Sequence, residues 1–399
     1  MNRKISLGLC ISVVVIAVAA TFALTMIFSK QIYNSIISNI SQRSRSYESA
    51  EEINRLISNY YYGDLDEYNN NLASSLAQGY VSGLNDENSY YMTATEYDAY
   101  MKKLDGGIIG VGIESAYDHA ANQLLVSYVY EGSSAESEGL RAGDIITAVD
   151  NITVTRSNYR KIQEMFFADR MKPVSIEYER DSVTKVASTM STFSIPSVTS
   201  REESGVGYIR ISGFFKNTAD ELKTALEGFK SASVTSVVID LRNTSDGTIA
   251  YSAKAIDVIV PNINGNIAVA RDKSGNVKET FSAESSGYTM KFAVLINGNT
   301  KGPAELFACD LRDISQAQLV GTLTAGSGTM QEIYTLDDGG ALNLTVALVV
   351  PKNGDEAVYN NLGVSPTMEV TVSVDDASVL LLPDGEDNQL IAAVNMIKD

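Results

Sequence analysis

The sequence predicts an α/β core, preceded by a helical segment and an N-terminal transmembrane helix. Two observations carry this. From Gly205 to Thr322, short apolar runs alternate with stretches of helical spacing, the pattern of a sheet with helices packed on its faces. At the other end, an uncharged apolar stretch runs from Ile5 to Phe28 between Arg3-Lys4 and Lys30, long enough for the ~20 apolar residues that a bilayer requires. Arg3 and Lys4 then place the N-terminus in the cytoplasm and the bulk of the chain outside the cell membrane, as a single-pass protein. Ala17-Val18-Ala19 is also an A-x-A site, so a cleaved signal peptide is the alternative.

Composition removes several functions. The chain has 399 residues, room for two or three domains beyond the anchor, and a net charge of -18 from 31 Lys+Arg against 49 Asp+Glu. With no basic cluster outside the membrane flank, nucleic acid is excluded as a partner. Cys10 and Cys309 fall in the apolar stretch and in a helix, so no disulfide framework is expected. The single histidine, His119, sits in a polar stretch between two apolar runs. A Ser-His-Asp triad and a Cys/His zinc site are thereby set aside, with no cofactor and no metal expected.

From residue 31 to 100, Ile32, Ile36, Ile40, then Ile53, Leu56, Ile57 and Tyr60 recur at helical spacing, which reads as a stalk and cap over 31–104. A glycine-rich turn, Asp105 to Ile113, opens the next unit, and Gly139-Leu140-Arg141-Ala142-Gly143-Asp144-Ile145-Ile146 continues it. The core begins with a strand over 205–212, a helix from Thr218 to Phe229 carrying Leu222, Ala225, Leu226 and Phe229 on one face, and a buried strand from Val237. A further strand, Phe292 to Ile296, leads into the turn Asn297-Gly298-Asn299-Thr300-Lys301-Gly302-Pro303. The following helix has Leu306, Cys309 and Leu311 on one face and Pro303 as its first residue. Leu319 to Thr322 is another strand, followed by Thr324-Ala325-Gly326-Ser327-Gly328-Thr329-Met330-Gln331.

These two turns resemble those of the carboxy-terminal processing (tail-specific) serine-lysine peptidases, whose patterns are N-G-G-S-A-S-A-S-E and T-F-G-K-G-x-x-Q. Asn297, Gly298, Glu305, Thr322, Thr324, Gly326, Gly328 and Gln331 match. The resemblance extends to Leu84 through Tyr97, to Asp240-Leu241-Arg242-Asn243-Thr244-Ser245-Asp246-Gly247, to Leu342–Ala347, to Leu362–Thr367 and to Asp387–Leu390. The glycine-rich unit resembles a PDZ domain over about Gly106 to Glu179. The implied fold is α/β plus α+β: anchor (1–30), helical stalk or cap (31–104), PDZ domain (105–182), and a crotonase/ClpP-like tail-specific peptidase core with a C-terminal helix (183–399).

The resemblance also assigns positions and exposes their departures. The nucleophile falls on Gly302, which has no side-chain atom, and the base on Ser327, whose hydroxyl has no useful proton affinity near neutral pH. The oxyanion N–H after the nucleophile falls on Pro303, which has none. The second oxyanion donor lies at Asp246 and Gly247, where Asp246 replaces a glycine. Gln331 would orient the base. Ile109, Gly110 and Val111 are the implied peptide-carboxylate loop, with Ile108 departing from the family's G-G-I-G. The expectation is a membrane-anchored, extracytoplasmic pseudopeptidase that binds peptide or protein C-terminal tails, and that regulates or scaffolds, with an active paralogous protease as a possible partner. Two alternatives stay open: hydrolysis by a displaced pair, Ser327 as nucleophile and Lys301 as base, or a structural surface without a peptide ligand.

Overall fold

The computed structural model describes residues 21, 25, 26, 47–106, 109–118, 121–167, 172–260, 265–284, 287–352, 359–374, 376, 378–382 and 385–398. Chain contacts divide it into two units, 1–76 and 77–399. In the first, residues 47–60 are helical, and Ile53, Leu56 and Tyr60 from the expected helix face are exposed.

The expected anchor falls almost entirely outside the described residues, as do Cys10, Ile32, Ile36, Ile40, Ile108 and His119. Among the described residues no helix is long and apolar enough to cross a membrane. The expected transmembrane helix, and with it the membrane partner, the single-pass cell-membrane location and the membrane-anchored form of the function, thus finds no support among the described residues.

In the second unit, the core sheet runs in the order Val198–Glu203, Val206–Ile211, Ser236–Asp240, Lys291–Ile296, Gln318–Gly321, Met368–Glu369. The first pair is antiparallel and the remaining four pairs are parallel. Side chains alternate between its faces. Val237, Ile239, Val294 and Ile296 pack beneath helices Thr218–Ser231, Ile249–Ile259 and Pro303–Ser315. Val238, Ala293, Leu295 and Val320 pack against the C-terminal helix Asn388–Ile397. Covering both faces is what makes these strands read as continuous apolar runs.

Arg242 ties the C-terminal helix to the sheet. Its buried guanidinium contacts Asp240 at 2.6 Å and Asp387, the N-cap of that helix, at 2.8 Å, and donates to Gln389 Oε1 at 3.1 Å. The D-L-R-N run is thus a structural clamp as well as a lead into the site.

The glycine-rich unit forms a sheet in the order Ile113–Asp118, Gln123–Val129, Ile145–Val149, Val174–Arg180, Val183–Thr189, around Leu124, Ile146, Ile162 and Ile176. Asp144 accepts from Arg180 through both oxygens at 2.6 Å and from the Arg141 N–H. Strand Ile113–Asp118 lies at the sheet edge. A third sheet pairs Tyr90–Met92 with Ala341–Pro351, which also pairs with Thr329–Thr335. This third sheet brings the 86–92 segment beside Ser327.

Candidate functional site

At the site, Gly302 is the N-cap of helix Pro303–Ser315 with φ 60 and ψ -113, a conformation that disfavours residues with a Cβ. It ends the strand Lys291–Ile296 and its turn in a sharp elbow. Space is not the restriction, because a Cβ placed there would meet only Ser327 O, at 4.0 Å. Pro303 follows as the first helical residue, where its missing N–H costs the helix nothing.

Glu305 joins the two turns. Its fully buried carboxylate accepts from the Gly302 N–H at 2.9 Å, the Ser327 N–H at 2.7 Å, the Gly326 N–H at 2.7 Å and the Thr324 hydroxyl. These bonds set the elbow and the 324–328 loop against each other at the helix N-terminus, where negative charge is favoured.

Ser327 accepts at Oγ from Asn88 Nδ2 at 3.1 Å, and the same amide reaches Thr329 Oγ1 at 3.4 Å. Lys301 Nζ lies 3.6 Å from a Glu87 carboxylate oxygen. Each member of the suggested displaced pair is thus held by the 86–89 segment. Gln331 donates to Thr329 Oγ1 at 2.8 Å and Thr345 Oγ1 at 3.2 Å. Simple alternation puts it on the side of Ser327, but Ser327 precedes the strand Thr329–Thr335, and a register shift at Met330/Gln331 interrupts the alternation.

On the other wall, Asp246 and Gly247 pair with Gly213 and Phe214. Asp246 forms a 2.8 Å ion pair with Lys103. Gly247 is required by packing: at φ 107, a Cβ there would lie 2.0 Å from Phe214 O. These walls enclose a cleft of about 1260 Å³ that Asn85, Asn88, Asn243, Asn299, Asn360 and Ser327 make strongly polar. Among the described residues, no group of three or more His, Cys, Asp or Glu could hold a metal ion.

The cleft continues to Ser115, Ala116, Tyr159 and Gln163 of the glycine-rich unit. Ile109 and Gly110 pair with Ser194 and Phe193, and the Val111 N–H donates to Phe166 O at 2.9 Å. Gly110 faces Phe166 O and Ile195 Cδ1, each 2.8 Å from where a Cβ would be. The organising role of Glu305 was only half legible, since Gly302-x-x-Glu305 has the glutamate spacing of a capping box but lacks its Ser or Thr. Nothing in the sequence singles out Asn88, 239 positions from Ser327.

Residues 205–370 match the family model described as peptidase family S41, and residues 125–180 match a PDZ domain model. A "Probable CtpA-like serine protease" of Staphylococcus haemolyticus is 25% identical over 339 residues, covering 84% of this chain and 67% of that one. A protein of the same name in Staphylococcus epidermidis is 27% identical over 69% of this chain and 56% of its own length, so this chain spans little more than half of that relative. The carboxy-terminal processing protease CtpA of Bacillus subtilis is 26% identical over 89% of this chain and 75% of its own. The photosystem II D1 C-terminal processing protease superposes with a TM-score of 0.51 at 22% identity, over 78% of this chain and 85% of that one. A Bacteroides fragilis structure named for an S41 protease gives 0.57 at 21% identity, over 80% and 89%.

These likenesses correct the crotonase/ClpP-like description of the core, which is that of the tail-specific proteases together with a PDZ domain. A strand, a tight turn and a helix specify an elbow, but many α/β folds share that unit, and it does not choose between them.

Proposed function

We propose, from the premise that residues 205–370 belong to peptidase family S41 and residues 125–180 to a PDZ domain, that this chain binds polypeptide tails without hydrolysing them by serine-lysine chemistry. One observation supports the reading: the sharp elbow is built around a residue with no nucleophile. Gly302 holds φ 60 and ψ -113, Pro303 supplies no N–H, and the Ser327 hydroxyl accepts from an asparagine amide. An amide needs both an activated attacking atom and donors aimed at the developing oxyanion. Gly302 offers no attacking atom, and Pro303 takes away one of the two donors that the resemblance implies.

Binding is supported by the polar cleft, whose amides and hydroxyls can bond an extended backbone, and by its continuity with the edge strand Ile113–Asp118. A strand edge accepts a peptide as an added strand, and alternate side-chain pockets provide selectivity. The test incubates the full chain with an unstructured peptide ending in an apolar residue with a free carboxylate, followed by mass spectrometry. Ser327→Ala and a Gly302→Ser, Pro303→Ala, Ser327→Lys variant run beside it. The native chain is expected to leave the peptide intact; cleavage that disappears in Ser327→Ala would overturn the reading.

A further inference from the structure

The groove that would receive a tail is bridged by contacts of the protein with itself. Strand Ile113–Asp118 has one strand neighbour, Gln123–Val129, and its other edge faces helix Tyr159–Met165. Across that gap, Gln163 Nε2 donates to the Ser115 backbone carbonyl at 2.7 Å and to Ser115 Oγ at 3.1 Å. One end is spanned by the Tyr117 and Tyr159 rings, stacked with centroids 4.2 Å apart and planes at 14°. At the other end, the Val111 N–H donates to Phe166 O. Three contacts therefore join segment 111–117 to segment 159–166 along the whole groove.

The middle contact is the informative one. A peptide added to this edge would bring its own N–H groups to outward-facing carbonyls of the strand. Ser115 is such a carbonyl, and a side-chain amide already occupies the place of the incoming donor. We propose that Gln163 and the Tyr117–Tyr159 stack form a latch that closes the PDZ groove until a tail displaces it, with the tail's backbone N–H replacing the Gln163 amide on Ser115 O. The proposal rests on the tail-binding reading above and adds its regulation. A closed majority lowers apparent affinity by the fraction of molecules that are open, so loosening the latch tightens binding although a contact has been removed.

Gly110 is a poor probe, because a larger residue would strike Phe166 O and Ile195 and disturb packing. Gln163→Met keeps the side-chain length and loses the donor; Tyr159→Ala removes the stack. Each variant of the full chain is titrated with the same apolar-tailed peptide, fluorescein-labelled at its N-terminus, and followed by anisotropy; circular dichroism checks folding. One hydrogen bond predicts an affinity gain of about two- to tenfold for Gln163→Met, and loss of a ring pair predicts a similar gain for Tyr159→Ala. Measurable native binding that does not tighten in either folded variant overturns the latch and leaves tail binding standing. Absence of binding in the native chain and in both variants overturns the tail-binding reading and the latch together.

Discussion

Glu305→Gln separates a designed joint from an incidental buried acid. In the native chain one carboxylate oxygen accepts from the Gly302 and Ser327 N–H groups, and the other from the Gly326 N–H and the Thr324 hydroxyl. A glutamine of the same size must point its NH₂ at one of these pairs. Its better setting faces Thr324, whose hydroxyl can rotate to accept, and leaves the buried Gly326 N–H opposed to another donor. One unsatisfied N–H costs about 1–3 kcal/mol, and bonds that lose an ionised acceptor weaken by about 1 kcal/mol more. The sum is about 2–4 kcal/mol, concentrated on the joint between elbow and loop. Hydrogen exchange read by mass spectrometry suits it, since local opening is measured without assuming all-or-none unfolding. Protection over 300–328 is expected to fall by about 30- to 1,000-fold, at tenfold per 1.4 kcal/mol, while strand Gln123–Val129 keeps its native protection. A fall below threefold over 300–328, or an equal fall in both regions, would refute the joint.

Other perturbations follow from the buried charges. Burial opposes ionisation of Asp240, but Arg242 and its hydrogen bonds outweigh that and hold the carboxyl below its usual range. This stabilisation is present above the unfolded-state pKa of about 4 and is lost as pH falls through the lower folded value; circular dichroism should therefore report acid unfolding below about pH 4. Arg242→Met leaves two buried carboxylates without their cation and is expected to cost about 3–5 kcal/mol in urea unfolding. Asp310 has the opposite sign: burial chiefly, with Asp313 adding to it, pushes its carboxyl up to about 8. Its contribution to stability declines as pH rises from about 4 to about 8, so Asp310→Asn should reduce the melting-temperature loss between pH 5 and pH 8. Gln331→Ala removes bonds to two threonine hydroxyls and is expected to cost about 1 kcal/mol without changing peptide binding by more than twofold.

Much of the core could be read from periodicity because its strands are buried on both faces. The run at Phe292 and the helical face of Leu222 and Leu226 became Lys291–Ile296 and Thr218–Ser231, shifted only at their ends. Element ends depend on caps and register, as at Gln331, where a bulge changes which way a side chain points. Gly302, Pro303 and Ser327 drew attention through the resemblance of two turns to a family pattern, which is legible because each turn is built from neighbours in sequence. The Asn88 and Gln163 contacts were illegible for a different reason: each depends on two segments meeting in space, 239 and 48 positions apart. The anchor, expected from hydropathy alone, finds no support among the described residues.

The Gly302–Pro303 pair has a consequence for the paths open to mutation. At φ 60 and ψ -113, a residue with a Cβ carries strain of about 1–3 kcal/mol that glycine avoids. At the first helical position, proline gains about 0.4–1 kcal/mol by restricting the unfolded chain. Glycine and proline are therefore each the residue that the backbone favours at its position. A change of Gly302 to serine would by itself lose stability, and a change of Pro303 would give up its own small gain. The elbow works as a ratchet, in which each single step away from the present pair runs uphill in free energy.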